Sequence, residues 1–164
     1  MKPIIKKLII HIDGASQGNP GPSGIGITFE SMTGEKLFEI SNFIGYKTNN
    51  QAEYEALITA LKNLQKKHTN WSQTQNSEII IRTDSELLCN QVNGLYKVRD
   101  WSLRKLHSEV IKLIKQLPKI NLTLIPREEN RNCDRLAKKA IREMIKSGVV
   151  LKATKTAKAQ SLFS

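Results

Sequence analysis

The sequence predicts a single α/β domain, and three observations predict it. Short apolar stretches bounded by Gly, Pro or polar turns fall at 8–12, 25–31, 36–44, 78–84 and 119–125, the lengths and limits expected of strands. Segments with apolar residues at helical spacing alternate with the later strands, near 50–67, 85–93, 99–117 and 133–147. The first and fourth strands both end on a carboxylate, Asp13 and Asp84, where an apolar strand entering a core has little use for charge.

The elements follow in order. Leu8 to Ile12 is an apolar run that reads as a buried strand closing on Asp13. Gly14, Gly18, Pro20, Gly21, Pro22 and Gly24 then read as a tight turn, and Ile25, Ile27 and Phe29 resume a strand, making a hairpin. Taken alone, Asp13 is equally explained as a turn aspartate bonded to its own backbone. After the turn 32–35, Leu37, Glu39 and Ser41 alternate with Phe38, Ile40 and Asn42 in a third strand, completing an antiparallel meander. Thr48 or Asn49 can cap the next helix. Its stripe, Leu57, Ala60, Leu61 and Leu64, extends backward onto Glu53, which therefore faces the core; Glu55 lies off the stripe. A polar connection is expected over 68–77. The strand Glu78-Ile-Ile-Ile-Arg-Thr-Asp84 leads into a short helix stopped by Gly94, which Asp84 could simply cap. Leu103, Leu106, Val110, Leu113 and Leu117 mark a longer helix ended by Pro118, before the fifth strand. The last helix has Leu136/Ala137, Ala140/Ile141 and Met144/Ile145 as its stripe, with Asp134 on the same side, pointing at the core. The domain is expected to span 1–148, with a basic tail over 149–164.

Composition narrows the class. Lys and Arg number 26 against 15 Asp and Glu, a formal net charge of +11, which favours a polyanionic partner, nucleic acid before an anionic membrane. No run of apolar residues is long enough to span a bilayer, and the start MKPIIKKLII reads into the first strand rather than as a signal peptide. Cys89 and Cys133 have no metal-type spacing and are expected to be small apolar residues of a reducing compartment, so a cytoplasmic protein is expected.

The four misplaced acids form a pattern. Asp13 and Asp84 end strands, and Glu53 and Asp134 lie near helix starts on the buried side. In open α/β sheets, sites form outside the carboxyl ends of the strands. Four carboxylates converging there repel one another unless cations sit among them. Oxygen-only ligands suit Mg²⁺ or Mn²⁺, and two such ions about 3.5–4 Å apart clamp a phosphoryl displacement. With the basic charge, this points to phosphodiester cleavage in nucleic acid.

At these residues the chain resembles type 1 ribonuclease H. The motifs are DGASQGNPGPSGIG from Asp13, TNNQAEYEAL from Thr48, RTDSELL from Arg82 and REENRNCDRLA from Arg127, and the resemblance runs from about Leu8 to Ile145. It implies a ribonuclease H-like fold, a five-stranded mixed sheet with three antiparallel strands then two parallel ones, flanked by helices. It implies that Asp13, Glu53, Asp84 and Asp134 bind two Mg²⁺ or Mn²⁺ ions. It also implies hydrolysis of the RNA strand of an RNA–DNA hybrid to 5′-phosphate and 3′-hydroxyl ends; separately, the protein is expected to be a monomer. Minor-groove contacts map onto Asn19, Thr48, Asn49 and Asn50, whose small polar groups suit a 2′-hydroxyl that both donates and accepts.

Two departures from the family stand out. The loop before the last acid carries Arg127, Glu128 and Glu129 in place of a histidine; Arg127 can take over by charge and contact substrate, but it cannot serve as a base. The basic protrusion with tryptophans is missing, and 94–100 leads almost directly into the long helix. Trp101 is expected to pack at that helix's start, although Trp101 and Arg104 could do part of the protrusion's work. His11, two residues before Asp13, is expected to be packed and hydrogen-bonded; His68 and His107 are expected at the surface. Three alternatives stay open: a nuclease of the same fold acting on double-stranded RNA or other A-form duplexes, a non-catalytic nucleic-acid-binding module, and a nucleotide-binding protein using the Gly-rich turn. The four acids argue against the second, and the turn's opening of a hairpin argues against the third.

Overall fold

The computed structural model describes residues 7–71 and 78–148, apart from the side chains of 67–71; the expected tail 149–164 lies outside the described residues. The elements are β1 (Lys7–Ser16), β2 (Gly21–Ser31), β3 (Lys36–Lys47), α1 (Asn49–Trp71), β4 (Glu78–Thr83), α2 (Glu86–Val92), α3 (Trp101–Lys115), β5 (Ile120–Leu124), a 3₁₀ turn (Arg127–Glu129) and α4 (Arg131–Lys146). The sheet order is β3-β2-β1-β4-β5, with the first three strands antiparallel and β1, β4 and β5 mutually parallel in sequence. This is the five-stranded mixed sheet that the sequence implies.

Alternation decides which helix covers which face. Leu8, Ile10 and Ile12 share one face with Ile27 and Phe29, because Ile10 opposes Phe29 and Ile12 opposes Ile27. That face packs against α1, α2 and α3 through buried Leu57, Leu61, Leu88, Leu103 and Val110. The opposite face of β2 is nearly bare, with Gly24 and Gly26, and α4 lies on it. A Cβ on Gly26 would stand 2.0 Å from the Cys133 carbonyl oxygen, and one on Gly24 2.4 Å from that of Ala137. The α4 backbone thus rests on the sheet itself, with Cys133, Leu136, Ala137 and Ala140 buried beneath it. Ser41 Oγ of β3 donates to the Leu136 carbonyl at 2.7 Å and fixes the helix laterally.

Several boundaries differ from the sequence reading, for identifiable reasons. β1 runs on through Asp13 and Gly14 to Ser16, so Asp13 does not initiate a turn. Gly14 is required by packing instead: a Cβ there would meet the Ala52 carbonyl carbon at 2.2 Å. β2 begins at Gly21, where a Cβ would meet the Gln17 carbonyl oxygen of the turn at 2.1 Å, and Gly24, which looks like a turn former, lies within the strand and admits α4. α1 continues to Trp71, into the stretch expected as a connection, of which 72–77 lie outside the described residues. Trp101 is 83% exposed, against the expectation of packing. It is the first residue of α3, whose cap is Asp100, accepting from Ser102 and Leu103 N–H, so the ring projects away from the buried stripe of Leu103, Val110 and Leu113. His107 is half-buried rather than at the surface, 3.2 Å from the Gln91 carbonyl; the side chain of His68 lies outside the described residues. Among the described residues no helix is long and apolar enough to cross a membrane.

The bare face of β2 makes a direct prediction. Gly26→Ala should cost about 1–3 kcal/mol by overpacking, since the obstructing atom is backbone that cannot rotate away. Thermal denaturation should show a fall of roughly 2–4 °C per kcal/mol. An unchanged melting temperature would mean that α4 does not lie this close to the sheet.

Candidate active site

β1 and β4 are parallel neighbours at the centre of the sheet, and His11 stands opposite Arg82. Continuing that register by two residues brings Asp13 opposite Asp84, so both carboxylates emerge at the carboxyl ends of adjacent strands. Glu53 reaches them from α1. Its approach depends on Gly14: with no Cβ in the way, the helix backbone comes close enough for the Gly14 N–H to donate to Glu53 Oε2 at 3.1 Å. One oxygen from each of Asp13, Glu53 and Asp84 lies within 4.8 Å of the others. The alternative for Asp84, a helix cap, does not apply, because Ser85 caps α2 by accepting from the Leu88 N–H.

Asp134, in the first turn of α4, lines the same pocket of about 320 Å³. It stands at the rim rather than pointing at the core: its side chain is 39% exposed and its Oδ2 is 2.9 Å from Lys138 Nζ. Neighbouring Cys133 takes the buried position on this turn, and its thiol, pushed up to about 12 by burial, stays protonated.

Electrostatics separates inner acids from outer ones. Burial, then the charge of Asp84, pushes the Asp13 carboxyl up to about 8. Burial, then the charge of Asp13, pushes Glu53 well above the usual carboxylate range. Neither has an ion pair with a basic residue among the described residues, whereas the outer two do: Lys138 pairs with Asp134, and Arg127 Nε stands 3.7 Å from Asp84 Oδ2. An oxygen-only set of clustered acids, the two most buried of them without a protein cation among the described residues, fits hard divalent ions of the Mg²⁺ or Mn²⁺ type. Asp13, Glu53 and Asp84 could hold such an ion, with Asp134 beside them.

The residues expected to meet substrate surround this pocket. Thr48 and Gln51 form a reciprocal cap at the start of α1: Gln51 N–H donates to Thr48 Oγ1 at 3.2 Å, and Thr48 N–H to Gln51 Oε1 at 2.8 Å. Among the described residues nothing accepts the Thr48 hydroxyl proton. Asn19 Oδ1 accepts from the Asn49 N–H at 3.0 Å, tying the Gly-rich turn to the same helix start. Asn49 lines the pocket and Asn50 is exposed beside it. Arg127 lines it from the 3₁₀ turn, with its side chain 90% exposed. His11 is packed on the Asp13 face, but its Nδ1 has no hydrogen-bond partner among the described residues, Glu30 being 4.0 Å away.

Sequence reasoning missed two residues here. Lys138 carries a signal in hindsight, standing one helical turn after Asp134. Asn130 carries none beyond its residue type. It is 2% exposed, and its Nδ2 donates to the Ile12 carbonyl at 2.8 Å and to Asp84 Oδ1 at 3.3 Å.

Comparison with known proteins places this arrangement. A family model described as reverse transcriptase-like matches residues 11–140. Ribonuclease HI of Halobacterium salinarum is 35% identical over 131 residues, 80% of this chain and 62% of that protein. A bifunctional protein of Mycobacterium tuberculosis is 36% identical over 136 residues, 82% of this chain and 35% of that protein. The chain thus spans about a third of the mycobacterial relative's length and somewhat under two thirds of the halobacterial one's. Among solved structures, LC11-RNase H1, isolated from compost by a metagenomic approach, superposes with a TM-score of 0.80 at 39% identity, covering 85% of this chain and 99% of that one. The same enzyme in complex with an RNA/DNA hybrid gives 0.79 at 38% identity, covering 84% and 99%. Likeness of sequence and fold over nearly the whole of a ribonuclease H1 domain shows that the chain belongs to the type 1 ribonuclease H family.

Proposed function

We propose that the chain is a divalent-metal-dependent endoribonuclease that hydrolyses the RNA strand of RNA–DNA hybrids, leaving 5′-phosphate and 3′-hydroxyl ends. The observation that carries the reading is the meeting of Asp13, Glu53 and Asp84 within 4.8 Å at the carboxyl ends of the central strands. The hybrid bound to the 38%-identical LC11-RNase H1 supports the substrate class. When bound, two Mg²⁺ or Mn²⁺ ions would activate water and offset the charge that develops at the phosphate.

The chain's own residues do the rest. Asp13 and Glu53, buried and without protein cations, keep the acceptor oxygens of the site fixed and dry. Asp134, at the rim, closes the acid set from the solvent side. Asn49 and Asn50, with the Thr48 hydroxyl and the Asn19 amide, present donors and acceptors to the minor-groove edge, where a 2′-hydroxyl distinguishes RNA from DNA. Arg127 and Lys138 line the pocket where a phosphate would enter. Exposed Trp101 and Arg104 extend the contact surface beyond the start of α3.

Two predictions follow from the acid set. Wild-type protein should cleave labelled hybrid with Mg²⁺ or Mn²⁺ and not with chelator. Asp84→Asn should lower kcat by more than the roughly 100-fold that loss of an outer partner of a metal ligand costs, with an unchanged circular dichroism spectrum. Near-full activity in that variant would refute the site. Faster cleavage of double-stranded RNA than of hybrid would refute the substrate class.

The second concerns stability without metal. The folded protein holds a proton on Asp13 up to about pH 8, whereas the unfolded chain releases it near 3.8. Between those values the folded state binds more protons, so the contribution to stability is full below the lower value and is lost as pH rises through the upper one. The metal-free melting temperature should therefore fall from pH 6 to pH 9, and Mg²⁺ should raise it more at pH 9 than at pH 6. Asp13→Asn should flatten both trends. Mg²⁺ stabilisation independent of pH would contradict the assignment.

A further inference from the structure

Asn130 stands at the first position of α4's cap, where asparagine ordinarily turns its side chain back onto the helix N–H groups. Here it makes no side-chain cap bond. Its amide is directed the other way, into the sheet: Nδ2 donates to the carbonyl of Ile12, the residue before Asp13, at 2.8 Å, and to Asp84 Oδ1 at 3.3 Å. Its backbone carbonyl accepts from the Asp134 N–H at 3.2 Å. One residue therefore touches the chain at, or next to, three of the four acids, on three different elements.

We propose that Asn130 is a positioning residue, whose amide sets the spacing of β1, β4 and the start of α4 and so holds Asp13, Asp84 and Asp134 in the arrangement that takes divalent ions. This rests on the metal-dependent reading above. The chemistry of the two partners fixes which end of the amide points inward, because a carbonyl and a carboxylate can only accept. Its own Oδ1 is left buried without a hydrogen-bond partner among the described residues. A buried unpaired acceptor is a cost that a position serving packing alone has no reason to carry. Aspartate would match the shape but lose both donors and set a further negative charge against Asp84. Leucine would match the branching and lose both bonds without adding charge. Of these, only asparagine supplies two neutral N–H donors at this reach.

The test uses the full chain with Asn130→Leu and Asn130→Ser, the latter too short to reach both acceptors. Two quantities are read: the Mg²⁺ concentration giving half of the maximal thermal shift in substrate-free protein, and kcat and KM on hybrid. In each variant that folds by circular dichroism, the Mg²⁺ midpoint should rise and kcat should fall by about 10–100-fold, the range for outer partners of metal ligands. KM for hybrid should stay within about two-fold, as expected where ground-state substrate binding is untouched. A folded variant with unchanged Mg²⁺ midpoint and kcat, its defect confined to melting temperature or to KM, would overturn the proposal. If wild-type protein fails to cleave hybrid while the variants still shift the Mg²⁺ midpoint, the nuclease reading falls and the positioning role stands.

Discussion

The structure is organised around a confinement of negative charge. Asp13 and Glu53 are under a tenth exposed, and a third carboxylate, Asp84, stands within 4.8 Å of both. In an apolar interior such a group is unstable as anions unless protons or cations intervene. Other features of the fold's centre serve this cluster. Parallel pairing of β1 and β4 aligns two of the acids, and the glycine after Asp13 lets α1 bring the third. Among the described residues, the cations paired with this cluster stand at its edge, Lys138 on Asp134 and Arg127 beside Asp84.

Close backbone packing makes that confinement possible. Gly14 admits α1 on one face of the sheet, and Gly24 and Gly26 admit α4 on the other. Both helices begin at the site, so the positions of Glu53 and Asp134 follow from how near each helix can approach. Asn130 then joins the strand ends to the start of α4 by hydrogen bonds rather than by packing. Glycine contacts and one amide together hold carboxylates that repel each other.

Much of this was legible in the sequence. Strand alternation and helical stripes identify all five strands and the four α-helices, and an acid at the end of an apolar run, or on a helix's apolar stripe, is visible without coordinates. What was not legible depends on distant partners. Gly14 and Gly24 resemble turn residues because they stand in a stretch rich in Gly and Pro; that β1 and β2 continue through them goes with helices that pack on them from far along the chain. Asp134 seemed to face the core because it lies three residues before Ala137, yet Cys133 takes the buried position and leaves it at the rim. Trp101 seemed a packing residue by type, but its place ahead of Leu103 turns it outward. Asn130 resembles any loop asparagine, and only its burial and its partners set it apart.

The central claim is that Asp13, Glu53 and Asp84 form a cation site. Diffraction from crystals grown with Mn²⁺, measured at a wavelength where manganese scatters anomalously, tests it most directly. The account predicts an anomalous peak coordinated by oxygens of Asp13, Glu53 and Asp84, with Asp134 turned toward it from the rim. No peak there, in crystals of protein that cleaves hybrid under the same Mn²⁺ concentration, would contradict it.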